Sequence, residues 1–537
     1  MKRLLSYAFL LLAACASPRE APSTSPGTFA VGFRSSWELD ASRSYRTLFD
    51  DGATYGGPTG ALGSPRPVLM NVWYPAKTAA AAEPMSHGAY LELPGGDASL
   101  ARLATALTDY ERGVLATELL GKTQDALTAD DEALLEQTLL APTGCVRDAE
   151  PAVGSFPLVV VHSGAGSSFE DDAGLCEYLA RHGNVVVGSA FPKEDGSSFA
   201  IDGRAGSARD MEFLIARAHE LPSVDATRVA LVGHSAGAQA ILRYACQHDC
   251  PADALVLLDT TADYYDLAFP LHRELIDEVL AHVEQVGQPM LVVASPEAQF
   301  QLCDRLVRAE RTYLTEPELG HNEHISQGHQ RNELDLRRGQ TSDGEPVDAE
   351  HVRSLRARYD AECADVRLFL DAELRGQRAP FVARITELKS NPLGGPDPCI
   401  ERVPRGVHGP PPYDFASGRP PTPRQLAPML HVIGAEHTCA VLARFQDREP
   451  RSPIYQSTMV LGSLLFALVE SGKEDEARTL HAYARSVLPE VLSLFTFATE
   501  VTRAGGHVDD ARRIVHAALV LEPENEEFLR IARELEP

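Results

Sequence analysis

The sequence predicts an α/β fold, a mostly parallel sheet with helices on both faces, followed by a small all-α domain. Short, wholly apolar strand patterns alternate with helical patterns between residues 156 and 373. Continuous apolar strands of this kind are typical of parallel sheets that are covered on both sides. Beyond a segment rich in proline and glycine, the chain is helical and repeats with a period of 34 residues.

The elements follow one another in a regular order. The strand at 68–75 is rich in β-branched and aromatic residues and ends at a proline, whereas the later strands are short and apolar. Further strands are predicted at 156–161, 184–188, 228–232, 254–258, 289–294 and 311–315, the last of the sheet. Amphipathic spacing predicts helices at 100–107, 131–140, 171–182, 208–221, 238–246 and 351–373.

These patterns divide the chain of 537 residues into segments. We predict a signal peptide at 1–14, a flexible tether at 15–30, an α/β domain at 31–385 with an insertion at about 85–150, a Pro/Gly-rich linker at 386–425 and a helical domain at 426–537.

The helical domain carries an internal repeat. A glycine, an alanine, an arginine and a proline each recur after 34 residues. Gly472, Ala477, Arg478 and Pro489 match Gly506, Ala511, Arg512 and Pro523. This spacing predicts a small tetratricopeptide-like array that binds a protein partner. A plain helical hairpin domain is the alternative.

The N-terminus has the features of an export signal. Lys2 and Arg3 precede an apolar run that is too short to span a bilayer. The run ends in Leu-Ala-Ala-Cys at Cys15, which resembles the lipobox of bacterial lipoproteins. The resemblance implies cleavage before Cys15, acylation of its sulfur and, with Ala16 next, an outer-membrane location. An ordinary secretory signal with a stray cysteine is the alternative.

The net charge and the cysteines of the chain argue against several classes of partner and cofactor. The formal net charge of −27 disfavours nucleic acid and a broad footprint on anionic lipid. Eight cysteines remain besides Cys15, an even number that allows full pairing in an exported protein, although buried thiols are equally consistent. Their spacing matches no zinc pattern, and we expect neither a metal nor an organic cofactor.

The most informative motif is Gly233-His234-Ser235-Ala236-Gly237. It reads G-x-S-x-G and lies between the strand at 228–232 and the helix at 238–246. This context is typical of a nucleophile elbow, in which small residues allow a strained turn that exposes the serine hydroxyl. We therefore predict that Ser235 is a nucleophile.

A serine nucleophile needs a histidine base and an acid that orients the histidine. In the α/β-hydrolase fold they follow the serine in the order acid, then histidine. Asp259 comes directly after one strand and Glu297 just after the next, and Asp263 is a weaker third choice. In the loop after the last strand, either His321 or His324 is the base.

An oxyanion needs two backbone N–H groups. One is that of Ala236, the residue after the nucleophile, and the other comes from the glycine-rich loop after the strand at 156–161. We expect Ala165 to supply it, beside Gly164. His162, which precedes the serine in the chain, is expected to be structural or to face the substrate.

Residues 68–378 resemble the platelet-activating-factor acetylhydrolase branch of the α/β-hydrolases, which is similar to the dienelactone hydrolases. Four segments carry the resemblance: Val72-Trp73-Tyr74-Pro75, Gly164-Ala165-Gly166, the elbow, and the strand that ends in Asp259. The resemblance favours Asp259 over Glu297 and His321 over His324. The chain departs from the family where His162-Ser163 stands in place of Ser-His, and a dienelactone hydrolase has cysteine at the elbow.

We therefore expect a serine esterase that acts on a small ester or lipid-like substrate and is anchored to the membrane by lipid. A serine peptidase would use the same triad. The alternative from another class is an inactive hydrolase-fold lipoprotein whose helical repeats bind a protein partner.

Overall fold

The structure is a computed structural model. It describes residues 29–49, 52–56, 63–77, 83–167, 169–199, 201, 205–247, 250–342, 344–391, 397–410 and 412–536. The predicted signal peptide, Cys15 and nearly all of the predicted tether lie outside the described residues, as do residues 392–396 of the predicted linker.

Extended segments occur where β-branched and apolar residues cluster. The strands are β1 (Ala30–Tyr45), β2 (Thr47–Leu48), β3 (Thr54–Tyr55), β4 (Ser64–Ala76), β5 (Cys145–Arg147), β6 (Phe156–His162), β7 (Val185–Gly188), β8 (Val224–His234), β9 (Ala254–Leu258), β10 (Met290–Ala294), β11 (Arg311–Thr315) and β12 (Cys399–Val403).

Helices cover the sheet and form the C-terminal region. They are α1 (Ala98–Leu120), α2 (Ala129–Leu139), α3 (Ala173–Arg181), α4 (Ala205–Ala218), α5 (Ala236–Ala245), α6 (Arg273–Ala281), α7 (Gln301–Arg305), α8 (Ser326–Arg338), α9 (Ala349–Arg375), α10 (Arg378–Leu388), α11 (Pro423–Gln446), α12 (Pro453–Gln456), α13 (Thr458–Glu470), α14 (Glu474–Val487), α15 (Ser493–Ala504), α16 (Val508–Leu521) and α17 (Glu526–Glu534).

The strands of the main sheet lie in the order β12-β11-β10-β9-β8-β6-β7-β4-β1-β5. From β11 to β7 all neighbours are parallel, and β4 joins β7 in the antiparallel sense. The chain therefore reverses its direction of winding beside β8, at the centre of the sheet. This order, with the serine turn after the central strand, is the α/β-hydrolase fold.

Each central strand sends alternate side chains to opposite faces of the sheet. In β6, Leu158 and Val160 join one apolar core with α4 and α5, and Val159 and Val161 join another with α3 and α9. Burial on both faces explains why these strands are apolar throughout. The predicted fold class, a mostly parallel sheet with helices on both faces followed by an all-α region, is confirmed.

Both edges of the sheet depart from the sequence-based expectation. At one edge, β1 and β5 are absent from the predicted strands. The long strand β1 pairs with β4 along most of its length, and the short strand β5 forms the edge by pairing parallel with β1. The prediction of a linker over 386–425 is wrong at 399–403, because β12 pairs antiparallel with β11 from Cys399 to Val403. For the same reason β11 is not the last strand. The prolines and glycines around β12 are typical of a linker and hide the pattern of a strand. A short strand at the edge of a sheet is nevertheless compatible with them.

The C-terminal region contains two helical hairpins that are related by the repeat. The second helices, α14 and α16, are both 14 residues long and start 34 residues apart, at Glu474 and Val508. Ala477 and Ala511 are fully buried at equivalent positions. The repeat seen in the sequence therefore corresponds to a repeat in structure, while the tetratricopeptide class remains a prediction.

The helical region packs on one face of the sheet domain and shares its core. The ring of Phe269, in the loop after β9, lies edge-on to Phe466 of α13 at 5.2 Å. Among the described helices, α11 alone is long and apolar enough to cross a membrane by length and composition. Leu430 and Leu442 of α11 are buried in this shared core, while a third of its most apolar window is buried overall.

Arg424, at the start of α11, is expected to fasten the helical region to the sheet domain. Its guanidinium makes two hydrogen bonds to the buried Asp304 carboxylate, one of them 2.8 Å long, and lies 4.4 Å from the ring centre of Tyr313. We expect Arg424→Ala to lower the free energy of unfolding by about 3–5 kcal/mol, because it removes the cation that pairs with a buried carboxylate and leaves, among the described residues, only the Tyr313 hydroxyl as its donor. Urea unfolding followed by circular dichroism measures the change.

Arg402→Ala is the matched control for this prediction. Arg402 pairs with Glu310 on the surface, so its removal is expected to cost less than about 1 kcal/mol. Equal losses in the two variants would contradict the prediction.

Candidate active site

The turn between β8 and α5 has the geometry of a nucleophile elbow. Ser235 adopts φ 53° and ψ −117°, a strained conformation for a residue with a side chain. The two glycines permit close packing around it. A Cβ at Gly237 would lie 2.0 Å from the carbonyl oxygen of His162, and one at Gly233 would lie 2.5 Å from the Gly237 carbonyl carbon. Only glycine fits at either position.

Three side chains form a continuous contact path at the carboxyl edge of the parallel strands. His321 Nε2 lies 3.0 Å from Ser235 Oγ, and His321 Nδ1 lies 2.5 Å from Asp259 Oδ2. Because a carboxylate only accepts, Nδ1 carries the proton and Nε2 is left to accept from the serine hydroxyl. The His321 side chain is 40% exposed, so a ligand can reach this end of the path.

Asp259 is held by donors from several directions. It follows β9 with φ 47°, and its amide donates to the carbonyl of Val293 at 2.7 Å. Its Oδ1 accepts from the Tyr264 hydroxyl and from the Ser295 amide at 3.2 Å. Burial alone would raise the pKa of this carboxyl, but the charge of His324 and the hydrogen bond from His321 hold it well below its usual range.

The histidine loop is fixed from both sides. His234, the second residue of the elbow, donates from Nε2 to the backbone carbonyl of His321 at 2.9 Å. Burial, together with the neighbouring His321, lowers the pKa of His234 to about 3, so its ring is neutral. On the other side, Ser326 donates to the carbonyl of Asp171 and accepts from the amide of Gly174.

The glycine-rich loop after β6 passes directly beside the nucleophile. A Cβ built on Gly164 would lie 3.2 Å from Ser235 Cβ, and Ala165 follows in an exposed turn. Ala236 is the first residue of α5, where backbone N–H groups have no partner within the helix. The two predicted oxyanion donors, at Ala165 and Ala236, thus belong to segments that flank the serine.

The alternative residues from the sequence lie elsewhere. His324 is buried, and its Nδ1 donates to Glu362 Oε2 at 2.8 Å instead of reaching the serine. Glu297 accepts a hydrogen bond from Ser457 at the start of α13. Asp263 is buried and accepts from the Cys303 amide at 3.2 Å.

His162, expected to be structural or to face the substrate, is buried. Its ring stacks on Phe191 at 3.8 Å, and its Nδ1 lies 2.8 Å from the Ser163 carbonyl oxygen. Ser163 in turn donates to the buried Asp172 carboxylate at 2.8 Å. The residues that depart from the resembled family therefore serve the packing beneath the glycine-rich loop.

Sequence reasoning missed two residues that support the acid. Tyr264 follows Asp259 by five positions in an irregular segment, and nothing in the pattern marks it. Glu362 could have been found from the sequence, because its spacing places it on the buried face of α9 between Tyr359 and Val366. A carboxylate within an apolar helical stripe is rarely buried without a partner.

The remaining chemistry of the described residues is limited. Across the described ranges, no group of three or more His, Cys, Asp or Glu side chains is arranged to hold a metal ion. The eight cysteines from Cys145 to Cys439 are free thiols, so the open question of their pairing is resolved toward thiols. The site itself consists of a serine, a histidine, an aspartate and flanking backbone amides, a set of groups that can carry out acyl transfer.

Comparisons with known proteins identify no family for this chain. No protein-family model matches the sequence, and no curated protein matches it. Among solved structures, the chain is similar to a ferulic acid esterase from Streptomyces cinnamoneus, with 19% identity and a TM-score of 0.42, over 71% of this chain and 98% of that chain. At this identity and TM-score, the likeness adds nothing to the assignment of a reaction, which depends on the site.

The Tyr264 hydroxyl is expected to tune the nucleophile through Asp259. Tyr264→Phe removes a donor to a buried carboxylate, so we expect Ser235 to react with a fluorophosphonate probe about tenfold more slowly. Tyr265→Phe is the control, because its ring stacks on Phe269. Equal rates for wild type and Tyr264→Phe would show that the hydroxyl does not act on the serine.

Proposed function

We propose that this protein is a serine hydrolase that cleaves carboxylic esters through an acyl-enzyme. One observation carries the proposal. Ser235 Oγ, His321 and Asp259 are linked by contacts of 3.0 and 2.5 Å, in a strained elbow after the central strand. This is the geometry in which a serine is activated by a histidine that a buried carboxylate orients.

The proposed reaction has two halves. Ser235 attacks the ester carbonyl while His321 Nε2 takes its proton and then passes it to the leaving alcohol. Asp259 stabilises the imidazolium that forms between these steps. Amides of Ala236 and Ala165 hold the oxyanion, and water then attacks the acyl-enzyme with His321 again as base.

The substrate class that we propose is a small or lipid-like ester. The triad alone would also serve a peptidase. The choice of an ester is therefore supported by the resemblance to acetylhydrolases as well as by the site. An ester is the less demanding substrate, because its alcohol leaves more readily than an amine. No cofactor takes part in this mechanism.

A second candidate function concerns the helical region. Phe497 and Val501 on α15 and Leu529 on α17 are 54%, 44% and 39% exposed, a large fraction for apolar side chains. Together with the helical repeat, this supports the proposal that the C-terminal region binds a protein. In the inactive-scaffold version of this function, Ser235 would be dispensable.

Hydrolysis of p-nitrophenyl acetate through octanoate tests the esterase proposal. We expect Ser235→Ala and His321→Ala to lower kcat/KM by about 10⁴-fold or more, because members of a triad act as a unit. His351→Ala, at an exposed position on α9, is the matched control and should behave as wild type. Turnover that survives Ser235→Ala, with no fluorophosphonate labelling, would reject the enzyme and leave the scaffold.

We also propose that Cys15 carries lipid and tethers the protein to the outer membrane of a bacterial envelope. The support is the sequence Leu12-Ala13-Ala14-Cys15 after a short apolar run, outside the described residues. An alkynyl palmitate is expected to label the wild type, and Cys15→Ser should lose the label and leave the membrane fraction. Cys399→Ser is the control for labelling. Membrane association that persists in Cys15→Ser would contradict the anchor.

A further inference from the structure

A second histidine stands behind the acid of the site. His324 lies on the opposite side of Asp259 from His321, and its side chain is fully buried. Its Nδ1 donates to Glu362 Oε2 at 2.8 Å, and its Nε2 faces Asp259 Oδ1 at 3.7 Å. Asp259 is therefore placed between two imidazoles, one at each carboxylate oxygen.

The surroundings of His324 are predominantly acidic. The charged and titratable groups that act on it come from the loop after β9, the end of β11, helix α9 and the elbow: Asp259, Glu316, Glu362 and His234. Arg358 and Asp365 of α9 lie one step further out and act on Glu316. Burying several carboxylates together is costly unless a cation compensates them. Within the described residues, His324 is the cation in contact with both Asp259 and Glu362.

The protonation states follow from these contacts. Burial acts to lower the pKa of His324, but the carboxylates of Glu362 and Asp259 outweigh it and raise the pKa to about 9. Burial, reinforced by Glu362, raises the pKa of Glu316 to about 8. These contacts favour an imidazolium at His324 and an uncharged carboxyl at Glu316 at neutral pH.

We propose that His324 is a positioning residue of the hydrolase, a buried cation that fixes the orientation of the Asp259 carboxylate and offsets part of its charge. The inference rests on the function proposed above. His324 touches neither substrate nor serine, and it acts on His321 only through Asp259. Glu362 holds the ring in place from α9, so that helix α9 contributes to the site.

Loss of the charge on His324 is expected to shift the pH dependence of the activity in one direction. Without the cation, the full negative charge of Asp259 acts on His321 and favours its protonated form. His321 then remains protonated, and unable to accept the proton of Ser235, up to a higher pH than in the wild type. For His324→Gln we expect the acid limb of the kcat/KM profile to move up by on the order of one pH unit, with KM nearly unchanged.

Two further variants separate charge from shape. His324→Lys keeps a cation between the same carboxylates and is expected to retain the acid limb of the wild type. His329→Gln removes another buried histidine, which bonds to the Glu323 carbonyl, and should leave the limb in place. Near-ultraviolet circular dichroism of each full-length variant shows that it is folded.

The outcomes distinguish this inference from the proposed function. An unmoved acid limb in His324→Gln, or equal shifts in His324→Gln and His324→Lys, would overturn the inference while the esterase stands. Nitrogen-15 NMR of the wild type provides a readout besides activity, with the His324 signals assigned by their loss in His324→Gln. Protons on both ring nitrogens at pH 7 support the inference, and a neutral ring overturns it. A wild type that cleaves no ester rejects the proposed function instead.

Discussion

The carboxylate of Asp259 is the point on which the site depends. Segments that follow three adjacent strands converge on it: Tyr264 after β9, Ser295 after β10 and His321 after β11. Because the carboxyl ends of parallel strands meet at one edge of a sheet, side chains distant in sequence reach a single buried anion. One buried carboxylate therefore contacts three loops at once, and one of these contacts sets the position of the His321 ring.

The backbone beneath the site is strained and is held by the sheet. Ser235 and Asp259, on neighbouring strands, both adopt positive φ, at 53° and 47°. Conformations of this kind cost about 1–3 kcal/mol each and persist only where the surroundings fix them. Here the Ser235 amide donates to Leu258, and the Asp259 amide donates to Val293. The hydrogen bonds run across β8, β9 and β10 as one ladder, so the cores on the two faces stabilise the strained turns.

Local sequence patterns predict much of this arrangement but not all of it. Apolar strands and the elbow predict the central sheet, because burial on both faces leaves a strong signal. The edge strand β12 leaves almost none among prolines and glycines. The residue pattern alone also leaves the choice between His321 and His324 open, although the family resemblance favours His321, and the reason is geometric. Both lie on one 3₁₀ turn, in which residues three apart share a face. Both rings therefore approach Asp259. They differ in burial, because His321 is partly exposed beside Ser235 and His324 is fully buried.

The core shared by the sheet and the helical region affects how the chain is assembled. The side chain of Gln299, in the loop after β10, donates to Ser463 of α13 at 2.9 Å, across 164 residues of sequence. The last strand of the sheet ends at Val403, so during synthesis the whole sheet leaves the ribosome before α13, which begins at Thr458. Until they arrive, the loops beside the acid expose Phe269 and a buried amide to water. These loops therefore complete their contacts only after the helical region has been made, and a chain truncated before α13 would expose apolar surface beside the candidate site.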